Sequence, residues 1–493
     1  MIQYTDSGII QTYIEDTSNI QGRCEALYIP ECQDELIELL RGFSNSKTPV
    51  TLAGGGTGTT GSRIPLDGIS LSLERLNRII SIDSERQIIS LESGVSLDAA
   101  EKELNKQGLT IRAQPTEPLA FAGGIVATCA SGQRSFKYGS IRKYIFRLKL
   151  VLSDGFVMDI RRGEIFACRR GFDFKYNKRR FVFDLPDYVM PGVKHAAGYF
   201  VDDNMDLIDL FIGQEGTLAC ILEMDIKVQK SADSFFDCVV FYRNESGAFE
   251  FVKKMQQRRA GDESVYPCSL EFFDHNALDI MRKENPSIPE KTCAVYFEQD
   301  LDGQKEEPII EEYTVLLETT GALIDSVWLA SNDSQRQKLR RFRHSLPQAV
   351  NEYLRTAKTR KTATDIAVPL DRFQQMYEYY AETGKLSGMP YINFGHIGQA
   401  HLHFNFLPAD QLQQAGMLEY VKQIVQKAID LGGTVSAEHG IGKTKKEYLK
   451  MLYGEKAIKQ MAAVKKVFDP ACILNLDNIF DREYLFADET KKQ

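Results

Sequence analysis

Three of the chain's seven histidines, His396, His401 and His403, fall within eight residues, in the segment GHIGQAHLH. If the overlapping HLHFNF is a strand, His401, His403 and Asn405 project from one face, because side chains alternate along a strand. A lone histidine on a strand is usually structural, but neutral imidazoles grouped in this way suit a borderline divalent metal such as zinc or manganese. The spacing therefore predicts a metal site that a carboxylate from elsewhere completes.

A candidate for that carboxylate lies in the segment SAEHGIGKTK, where Glu438 is followed directly by His439. A carboxylate is a common partner of imidazoles around zinc. The Glu-His pair, taken with the three clustered histidines, favours a functional site over separate structural roles.

A glycine-rich stretch, GGGTGTTG at residues 54–61, contains a literal G-x-G-x-x-G string. Such a string holds a dinucleotide where a helix follows it, since the pyrophosphate sits on the helix N-terminus. The residues after Gly61 contain Pro65 and Gly68 and then alternate like a strand, which disfavours a nicotinamide cofactor. No Gly-Lys-Ser/Thr follows either, so a Walker-type phosphate loop is disfavoured. The loop can still bind an anion through its bare backbone N–H groups, and a flexible hairpin connection is the alternative.

Basic side chains that could bind an anionic substrate precede the histidine cluster. The segment LRRFRHSLPQAVNEYL places Arg340, Arg341 and Arg343 at a helix start, and Lys361 opens KTATDIAVP. A guanidinium grips a carboxylate through two hydrogen bonds, whereas an ammonium acts as a point charge. For each of these residues a solvated basic face is the alternative.

A second basic stretch, CRRGFDFKYNKRRF, begins at Cys168 and is followed by two prolines, so residues 168–191 are interpreted as a surface excursion. A solvated loop is the plain interpretation. Docking to an acidic partner or to anionic lipid is the sharper hypothesis.

The elements that must position these groups alternate between short strands and helices. EALYI and PVTLA are predicted strands that flank the helix ECQDELIELLRGF, and YIFRLKLVLSDGFVMDI is a predicted hairpin with Asp154 and Gly155 at its turn. Further helices are predicted near residues 311–320 and 334–356, and the tail from 411 onward is mostly helical. This pattern indicates an α+β fold rather than a regular βαβ repeat.

Composition restricts the class of protein. A chain of 493 residues is too long for one core, and its net charge of −8 argues against nucleic acid as the main partner. The nine cysteines show no C-x-x-C spacing, which favours a reducing cytosol and excludes an in-chain iron–sulfur cluster of the usual spacing. We identify no signal peptide at the N-terminus and no apolar run long enough to span a bilayer. A peripheral contact with the inner face of the membrane stays open.

Several segments, in order and spacing, resemble one known family. They are PVTLAGGGTGTTGSRIP, QPTEP, AGGIVATCASGQRSFKYGSIRKYI, DLFIGQEGTLACIL, GHIGQAHLHFN and SAEHGIGKTK. They look like the FAD-binding oxidoreductase/transferase type 4 family of the vanillyl-alcohol oxidase superfamily. Within it they resemble the branch of glycolate oxidase, D-lactate dehydrogenase and D-2-hydroxyglutarate dehydrogenase, over nearly the whole chain except residues 168–191.

The resemblance implies a fold and a set of domains. A two-subdomain, PCMH-type FAD-binding domain would span residues 20–230 and carry the basic insertion at about 168–191. An α+β substrate (cap) domain would span 231–410. A helical C-terminal segment, 411–493, would return to the flavin with the Glu-His-Gly motif.

The resemblance also implies roles for particular residues. Non-covalent FAD would be bound by Gly54, Gly55, Gly56, Thr57, Gly58, Thr60, Gly124, Ser135, Gly139, Glu215 and Gly216, with nearby Cys129 a buried small residue rather than a covalent flavin link. His396, His403 and Glu438 would be metal ligands, with His401 as an additional candidate, and His439 would be the catalytic base. Arg343, Lys361 and Asn405 would contact the substrate.

The chain departs from the family pattern at two places. Gln399, Ala400 and His401 stand where relatives carry Asp-Gly-Asn, which puts pocket polarity and ligand geometry in doubt. ILNLDNIF at residues 473–480 replaces an Asn-Pro-Gly-Lys motif, so the flavin edge would be contacted differently.

The predicted function is oxidation of a small D-2-hydroxy acid (lactate, glycolate or 2-hydroxyglutarate-like) to the 2-oxo acid by a cytoplasmic FAD-dependent enzyme. A metal would assist proton abstraction, and the electron acceptor would be a quinone, a cytochrome, a flavoprotein or a separate iron–sulfur subunit. A homodimer is one arrangement that the prediction allows. The alternatives are a flavin-dependent non-redox transferase of the same superfamily and an FAD-binding protein with impaired turnover.

Overall fold

The computed structural model describes residues 1–232, 234–261, 263, 265–360 and 362–486. The first sheet has four strands in the order β1-β2-β4-β3, and β2, β4 and β3 run parallel. Its strands are β1 (Ile2–Tyr4), β2 (Ala26–Ile29), β3 (Val50–Ala53) and β4 (Ile69–Ser72), with helices α1 (Ser7–Gln11) and α2 (Gln33–Ser46) between them. The glycine-rich loop joins β3 to β4, so a strand and not a helix follows it, as its sequence predicts.

A second, antiparallel sheet of five strands follows in the order β5-β6-β12-β8-β9. This part of the chain comprises β5 (Ile79–Asp83), β6 (Ile88–Glu92), α3 (Leu97–Asn105), β7 (Leu109–Thr110), α4 (Ala122–Ala127), α5 (Ser135–Tyr138), β8 (Ile145–Val151) and β9 (Val157–Arg161). The β8–β9 hairpin pairs Arg147 with Arg161 and Val151 with Val157. Its turn contains Gly155 at φ +80°, so the predicted Asp-Gly hairpin is confirmed.

The basic stretch at 168–191 is not a solvated excursion, and that prediction was wrong. It forms a hairpin of β10 (Gly171–Tyr176) and β11 (Arg179–Asp184) with one apolar face. Phe172, Phe181 and Phe183 are buried, and the ring of Phe181 stacks on that of Phe468 at 5.6 Å. Alternation of aromatic and charged residues along each strand turns the charges outward, because successive side chains point to opposite faces.

The chain then completes the second sheet and builds a third. The connecting elements are α6 (Leu207–Phe211), β12 (Cys220–Lys227) and β13 (Gln229–Lys230). The third sheet has the antiparallel order β17-β14-β16-β15-β20-β21-β18, and β19 also pairs with β21. Its elements are β14 (Phe235–Tyr242), α7 (Glu245–Ala260), β15 (Ser269–Phe273), α8 (His275–Arg282), β16 (Cys293–Asp300), α9 (Glu306–Thr319), β17 (Trp328–Ala330), α10 (Asp333–Ala357), β18 (Thr362–Ala363), β19 (Ile366–Ala367), α11 (Phe373–Ser387), β20 (Tyr391–Gly395) and β21 (His401–Phe406).

Helix α10 shows how the sequence forms these elements. The Asn332 side chain accepts a hydrogen bond from the backbone N–H of Gln335 and caps the first turn. Leu339, Phe342 and Leu346, spaced three and four residues apart, are buried against the sheet. The helix begins at Asp333, so the arginines at 340, 341 and 343 lie in its second and third turns. The prediction that they lie at the start of a helix was wrong.

The remaining chain is mainly helical and returns to the first sheet. It comprises α12 (Gln411–Asp430), α13 (Lys446–Phe468), which breaks at Gly454, and α14 (Glu483–Phe486). After α13, Leu474 forms a parallel bridge with Val50 of β3. The tail thereby reaches the glycine-rich loop that follows β3. Among the described residues, no helix combines the length and the apolar character that crossing a bilayer requires.

Candidate functional site

A cleft of about 340 Å³ lies beside the glycine-rich loop. Its walls come from this loop, from helix α4, from the turn that contains Glu215 and from the segment after α12. Most of the predicted cofactor residues line it, namely Gly54, Gly55, Gly56, Thr57, Gly58, Thr60, Gly124, Glu215 and Gly216. Glu438 and His439 line the same cleft, so segments that are far apart in the sequence meet there.

Two of these glycines, Gly54 and Gly124, leave room for a ligand to approach the backbone. A Cβ added at Gly54 or at Gly124 would meet nothing within 4 Å, because both positions face open space. Gly56 has φ +76°, a backbone conformation that L side chains rarely adopt. Exposed backbone N–H groups of such a loop bind an anion well, which fits the diphosphate of the predicted FAD.

Glu215 holds the C-terminal segment against the cleft. Its two carboxylate oxygens accept hydrogen bonds of 2.7 Å from the backbone N–H groups of Ile441 and Gly442, and a third from the Ser62 hydroxyl. Burial raises the pKa of this carboxyl, although those N–H groups act against the shift. The structure thus gives Glu215 a bracing contact between Ser62, just after the glycine-rich loop, and the residues that follow the Glu-His-Gly motif.

The departure at residues 473–480 has a definite structural outcome. The Asn475 and Asn478 amides both donate to the backbone carbonyl of Glu215, at 3.1 and 3.0 Å. Asn475 also accepts from the backbone N–H of Leu52 and lines the cleft. Two asparagine side chains therefore secure the tail beside β3.

Two predicted cofactor residues lie outside the cleft lining. The Ser135 hydroxyl donates to the Gln399 amide oxygen at 2.6 Å, which directs it toward the third sheet. Gly139 ends α5 with φ +74°. A sequence match cannot distinguish a residue that lines the cleft from one that shapes a neighbouring turn. In this structure Gly139 ends helix α5, and Ser135 links that helix to Gln399.

The predicted metal ligands come together. His396, His401, His403 and Glu438 each offer one ligand atom, and these four atoms all lie within 4.8 Å of one another. The ring of His396 stands just after β20, His401 and His403 lie on β21, and Glu438 arrives from the segment after α12. Antiparallel pairing of β20 with β21 places the histidines side by side, with Phe394 opposite His403.

Neighbouring groups orient the rings. His396 Nδ1 lies 2.6 Å from Glu271 Oε1, and its Nε2 lies 3.2 Å from Glu438 Oε2. His403 Nδ1 donates to the backbone carbonyl of Thr364 at 3.1 Å, which leaves Nε2 as the ligand atom. His401 is fully buried, and neither of its ring nitrogens has a hydrogen-bond partner among the described residues, although Nε2 lies 3.0 Å from Asp365 Oδ1.

These positions fit a four-coordinate divalent metal. Ligands at about 2.0–2.1 Å from a tetrahedral zinc stand about 3.3 Å apart, and the Nε2–Oε2 separation of His396 and Glu438 is 3.2 Å. His401 Nδ1 is buried and has no hydrogen-bond partner among the described residues, so it can serve as a ligand atom while Nε2 faces Asp365. His401 thereby gains support as a ligand in the position where relatives carry asparagine.

The protonation states of His401 and His403, but not that of His396, suit ligation of a metal. Burial lowers the pKa of His401 to about 4 and that of His403 well below its usual value, so both rings are neutral near pH 7. Burial alone would lower the pKa of His396 too, but Glu271 and Glu438 outweigh it and raise that pKa. Burial likewise opposes ionisation of Glu438, yet His396 and Lys194 hold its pKa well below the ordinary range.

Lys194 is a cation that already contacts the cluster. Its ammonium forms an ion pair with Glu438 Oε1, and its side chain is only 5% exposed. Ser131 also donates to this oxygen, at 3.3 Å. A metal at the cluster would therefore share Glu438 with an ammonium.

His439, the predicted base, is the more accessible member of the Glu-His pair. Its side chain is 36% exposed, and its Nδ1 lies 3.4 Å from Asp365 Oδ2. The ring stacks on that of His403 at a centroid distance of 5.5 Å. Its remaining nitrogen, Nε2, is the atom that can exchange a proton with a substrate.

The predicted substrate residues have different outcomes. Arg343 Nη2 lies 3.5 Å from Glu271 Oε2, and its buried Nε has no hydrogen-bond partner among the described residues. The Asn405 amide donates to the His403 carbonyl at 2.9 Å and does not line the cleft. Lys361 lies outside the described residues. Arg343 therefore stands beside the histidine cluster through their common neighbour Glu271.

The departure at 399–401 is accommodated locally. Ala400 adopts φ +51°, in the left-handed region, at the position where the family carries glycine. Gln399 turns away to accept the Ser135 hydroxyl, and His401 joins the cluster. The pocket thus exchanges an Asp and an Asn for an imidazole.

Sequence reasoning missed three residues that organise the site, Glu271, Lys194 and Asp365. Glu271 is an acid inside the otherwise apolar strand SLEFF, which is a usable signal because an unpaired charge is rarely buried. Asp365 is 3% exposed and accepts from Lys445 Nζ at 2.7 Å and from the backbone N–H of His439 at 2.9 Å. The sequence around Lys194 contains no pattern that would predict its place beside Glu438.

Two family models match the chain. The family model of the FAD binding domain matches residues 24–161, and that of the C-terminal domain of FAD linked oxidases matches residues 238–479. Together they include the glycine-rich loop, the histidine cluster and the segment from Glu438 to residue 479, whereas Asp16 and the Glu215 turn of the cleft lie outside both matches.

Curated relatives cover nearly the whole chain. A D-lactate dehydrogenase of Anaerostipes hadrus is 26% identical over 95% of this chain and 92% of its own length. The glycolate oxidase subunit GlcD of Bacillus subtilis is 26% identical over 97% and 94%. A D-2-hydroxyglutarate dehydrogenase of Xanthomonas citri pv. viticola is 26% identical over 92% and 89%.

Among solved structures, an alkyldihydroxyacetonephosphate synthase superposes with a TM-score of 0.67 at 17% identity. The match covers 96% of this chain and 82% of that one. At this identity the likeness concerns the fold alone.

Proposed function

The chain belongs to the FAD-linked oxidases, and from this premise we propose that it oxidises a small D-2-hydroxy acid to the 2-oxo acid. Its relatives place it in the lactate, glycolate and 2-hydroxyglutarate branch of FAD-dependent oxidoreductases. One observation carries the proposal: the cleft beside the glycine-rich loop is also lined by Glu438, a member of the histidine cluster, and by His439.

Bound FAD would supply a two-electron acceptor for the hydride from the substrate's Cα. The glycine loop would hold its diphosphate through backbone N–H groups, and Gly124 would let the ring approach helix α4. Glu215 contributes by bracing the loop residue Ser62 against Ile441 and Gly442. These contacts keep the flavin side and the histidine side of the cleft at a constant separation.

A divalent metal, zinc or manganese, would be held by His396, His403, Glu438 and His401, and would supply Lewis acidity toward the substrate hydroxyl. The second carboxylate, Glu271, orients His396 through its Nδ1. Lys194, which forms an ion pair with Glu438, would share that carboxylate with the metal.

His439 would take the hydroxyl proton at Nε2. Asp365 fixes the ring on the Nδ1 side, and it also binds the backbone N–H of His439. A base placed in this way transfers a proton efficiently when its position and tautomer are held by a neighbouring acid. Arg343, whose buried Nε has no hydrogen-bond partner among the described residues, would bind the substrate carboxylate together with Lys361.

The electrons would pass on to a quinone, a cytochrome, a flavoprotein or a separate iron–sulfur subunit. Cytoplasmic location remains our expectation. The division into residues 20–230, 231–410 and 411–493 also remains a proposal. The transferase alternative shares this fold, but a single Glu-His pair beside three clustered histidines favours the dehydrogenase.

Anaerobic mixing with a panel of D-2-hydroxy acids tests the proposal. A substrate should bleach the flavin band near about 450 nm, and its L-enantiomer should not. His439→Ala should abolish bleaching while FAD is retained, whereas His275→Ala, at an exposed histidine on α8, is the matched control. Purified protein that is colourless and takes up no FAD, or full bleaching by His439→Ala, would refute the proposal.

A further inference from the structure

Arg63 stands at the glycine-rich loop with a guanidinium that the fold itself leaves incompletely paired. It lies just after the loop and lines the cleft with Gly54 to Thr60. Its guanidinium packs against the loop so closely that a Cβ added at Gly56 would overlap Nη1. The side chain therefore lies against the backbone that is expected to receive an anion.

The partners of this guanidinium are few. Nη2 donates to the backbone carbonyl of Tyr13 at 2.5 Å, which anchors one edge. Nε is buried and has no hydrogen-bond partner within the part of the chain that the structure describes. Asp16 and Glu74 are the acids that act on its charge, and neither forms a hydrogen bond or salt bridge with it among the described residues.

Such an arrangement is unfavourable unless an anion completes it. Burying a charge without a partner costs several kcal/mol, and burial lowers the pKa of Arg63. A phosphate group is the natural complement of a guanidinium, because two parallel N–H donors match two of its oxygens.

A segment that precedes the matched FAD binding domain holds Arg63 in place. That domain's match begins at residue 24. Upstream of it, Tyr13 anchors the guanidinium, and Thr17 donates to the Gly58 carbonyl through both its backbone N–H and its hydroxyl, at 3.3 and 2.8 Å. Asp16 lines the cleft next to them, with one buried carboxylate oxygen unpartnered.

We propose that Arg63, anchored by the N-terminal segment 13–17, binds the diphosphate of FAD and supplies the positive charge that the glycine loop lacks. The loop contributes backbone N–H groups, and Arg63 contributes positive charge from the cleft lining. The inference concerns the cofactor and not the substrate, so it stands or falls independently of the D-2-hydroxy acid assignment.

Cofactor affinity of the full-length protein tests it. Arg63→Met is compared with wild type by titrating apoprotein with FAD and with ADP, which has the diphosphate but no flavin ring. Loss of a charged hydrogen bond predicts that both dissociation constants rise about 10- to 150-fold. FAD release from the holoenzyme, followed by flavin fluorescence, should accelerate in parallel. Arg23→Met is the matched control, because Arg23 donates to the Leu66 carbonyl outside the cleft.

Two further variants separate charge from structure. Arg63→Lys should recover part of the lost affinity, and the salt dependence of FAD binding should be weaker in Arg63→Met than in wild type. Asp16→Asn should leave FAD binding unchanged or tighter; a loss as large as that of Arg63→Met would mean that the two residues merely pair with each other. Unchanged FAD affinity in Arg63→Met, or a loss for FAD without one for ADP, overturns the proposal.

Discussion

Replacing Asp365 by asparagine tests how the histidine side of the site is held together. Asp365 is 3% exposed and accepts hydrogen bonds from the backbone N–H of His439 at 2.9 Å, from the Ser436 hydroxyl at 2.8 Å and from Lys445 Nζ at 2.7 Å. Burial alone would raise the pKa of this carboxyl, but Lys445 and His439 hold it well below its usual range. Its stabilising contribution is therefore present above about pH 4 and is lost as the pH falls toward the folded pKa.

The magnitude follows from what asparagine cannot supply. Lys445, 13% exposed at its side chain, loses its carboxylate and keeps only the Ser436 hydroxyl, at 3.0 Å, among its described partners. Breaking a buried ion pair from one side costs about 3–5 kcal/mol, and an amide nitrogen facing the His439 N–H costs about 1–3 kcal/mol more. Since these losses share one residue and do not add fully, we expect about 4 kcal/mol.

Thermal unfolding and flavin reduction measure the two consequences separately. For a cooperative unit of about 250 residues, about 4 kcal/mol lowers the apparent Tm by about 8–16 °C. The rate of flavin reduction should fall by a further 10- to 100-fold or so, because His439 loses the acid that orients it. Asp173→Asn is the control, since Asp173 pairs with Arg180 at the surface, and its Tm should stay within about 2 °C of wild type.

Two outcomes would refute the reasoning. An Asp365→Asn protein whose Tm matches that of Asp173→Asn would show that the buried network contributes little stability. A variant that is destabilised as expected but reduces its flavin at the wild-type rate would show that Asp365 does not orient His439.

Three further predictions concern the metal and pH. His401→Asn, which restores the residue of the relatives, should weaken zinc binding at least about tenfold in a chelator competition assay if His401 is a ligand; equal affinity would remove it from the ligand set. Lys194→Met should destabilise the metal-free protein and tighten zinc binding about tenfold or more, because Glu438 is then left without its cation; weaker binding would mean that Lys194 supports the metal. In metal-free buffer, the raised pKa of His396 adds stability below about pH 6.5, and this stability is lost as the pH rises through the folded pKa. The lowered pKa values of His401 and His403 act in the other direction, because they remove stability as the pH falls below about 6.5. The apparent Tm should therefore be highest at about pH 6.5. His396→Gln should reduce the fall in Tm above that pH. A Tm that rises steadily up to pH 9 would contradict the pKa shifts assigned to these histidines.

Local signals in the sequence were sufficient for much of the fold. The Asp-Gly turn of the β8–β9 hairpin, the strand after the glycine loop and the long helix α10 all follow from neighbouring residues alone. The hairpin at 168–191 was also readable from its period of two in Phe172, Phe174 and Tyr176. The solvated loop was predicted from the basic composition of the segment. Burial, however, depends on which face of each strand is apolar and not on the average charge.

The clustering of His396, His401, His403 and Glu438 could be predicted because the histidines are close in sequence and their carboxylate belongs to a motif of its own. Their environment could not. Lys194, Glu271 and Asp365 approach the site from three distant segments, and the ion pairs that set the protonation of His396 and Glu438 exist only when these segments are packed together.

By itself, the sequence determined the chemistry available to this protein: a glycine loop suited to a diphosphate, imidazoles at metal-ligand spacing and a Glu-His pair. The tertiary structure decided which of these groups share one cleft, which carboxylate neutralises which cation, and that the Ser135 and Asn405 side chains form hydrogen bonds outside the cleft lining. The reason is physical, because residue type and spacing act over a few neighbours, whereas burial and charge pairing depend on chain segments that meet only in the folded state.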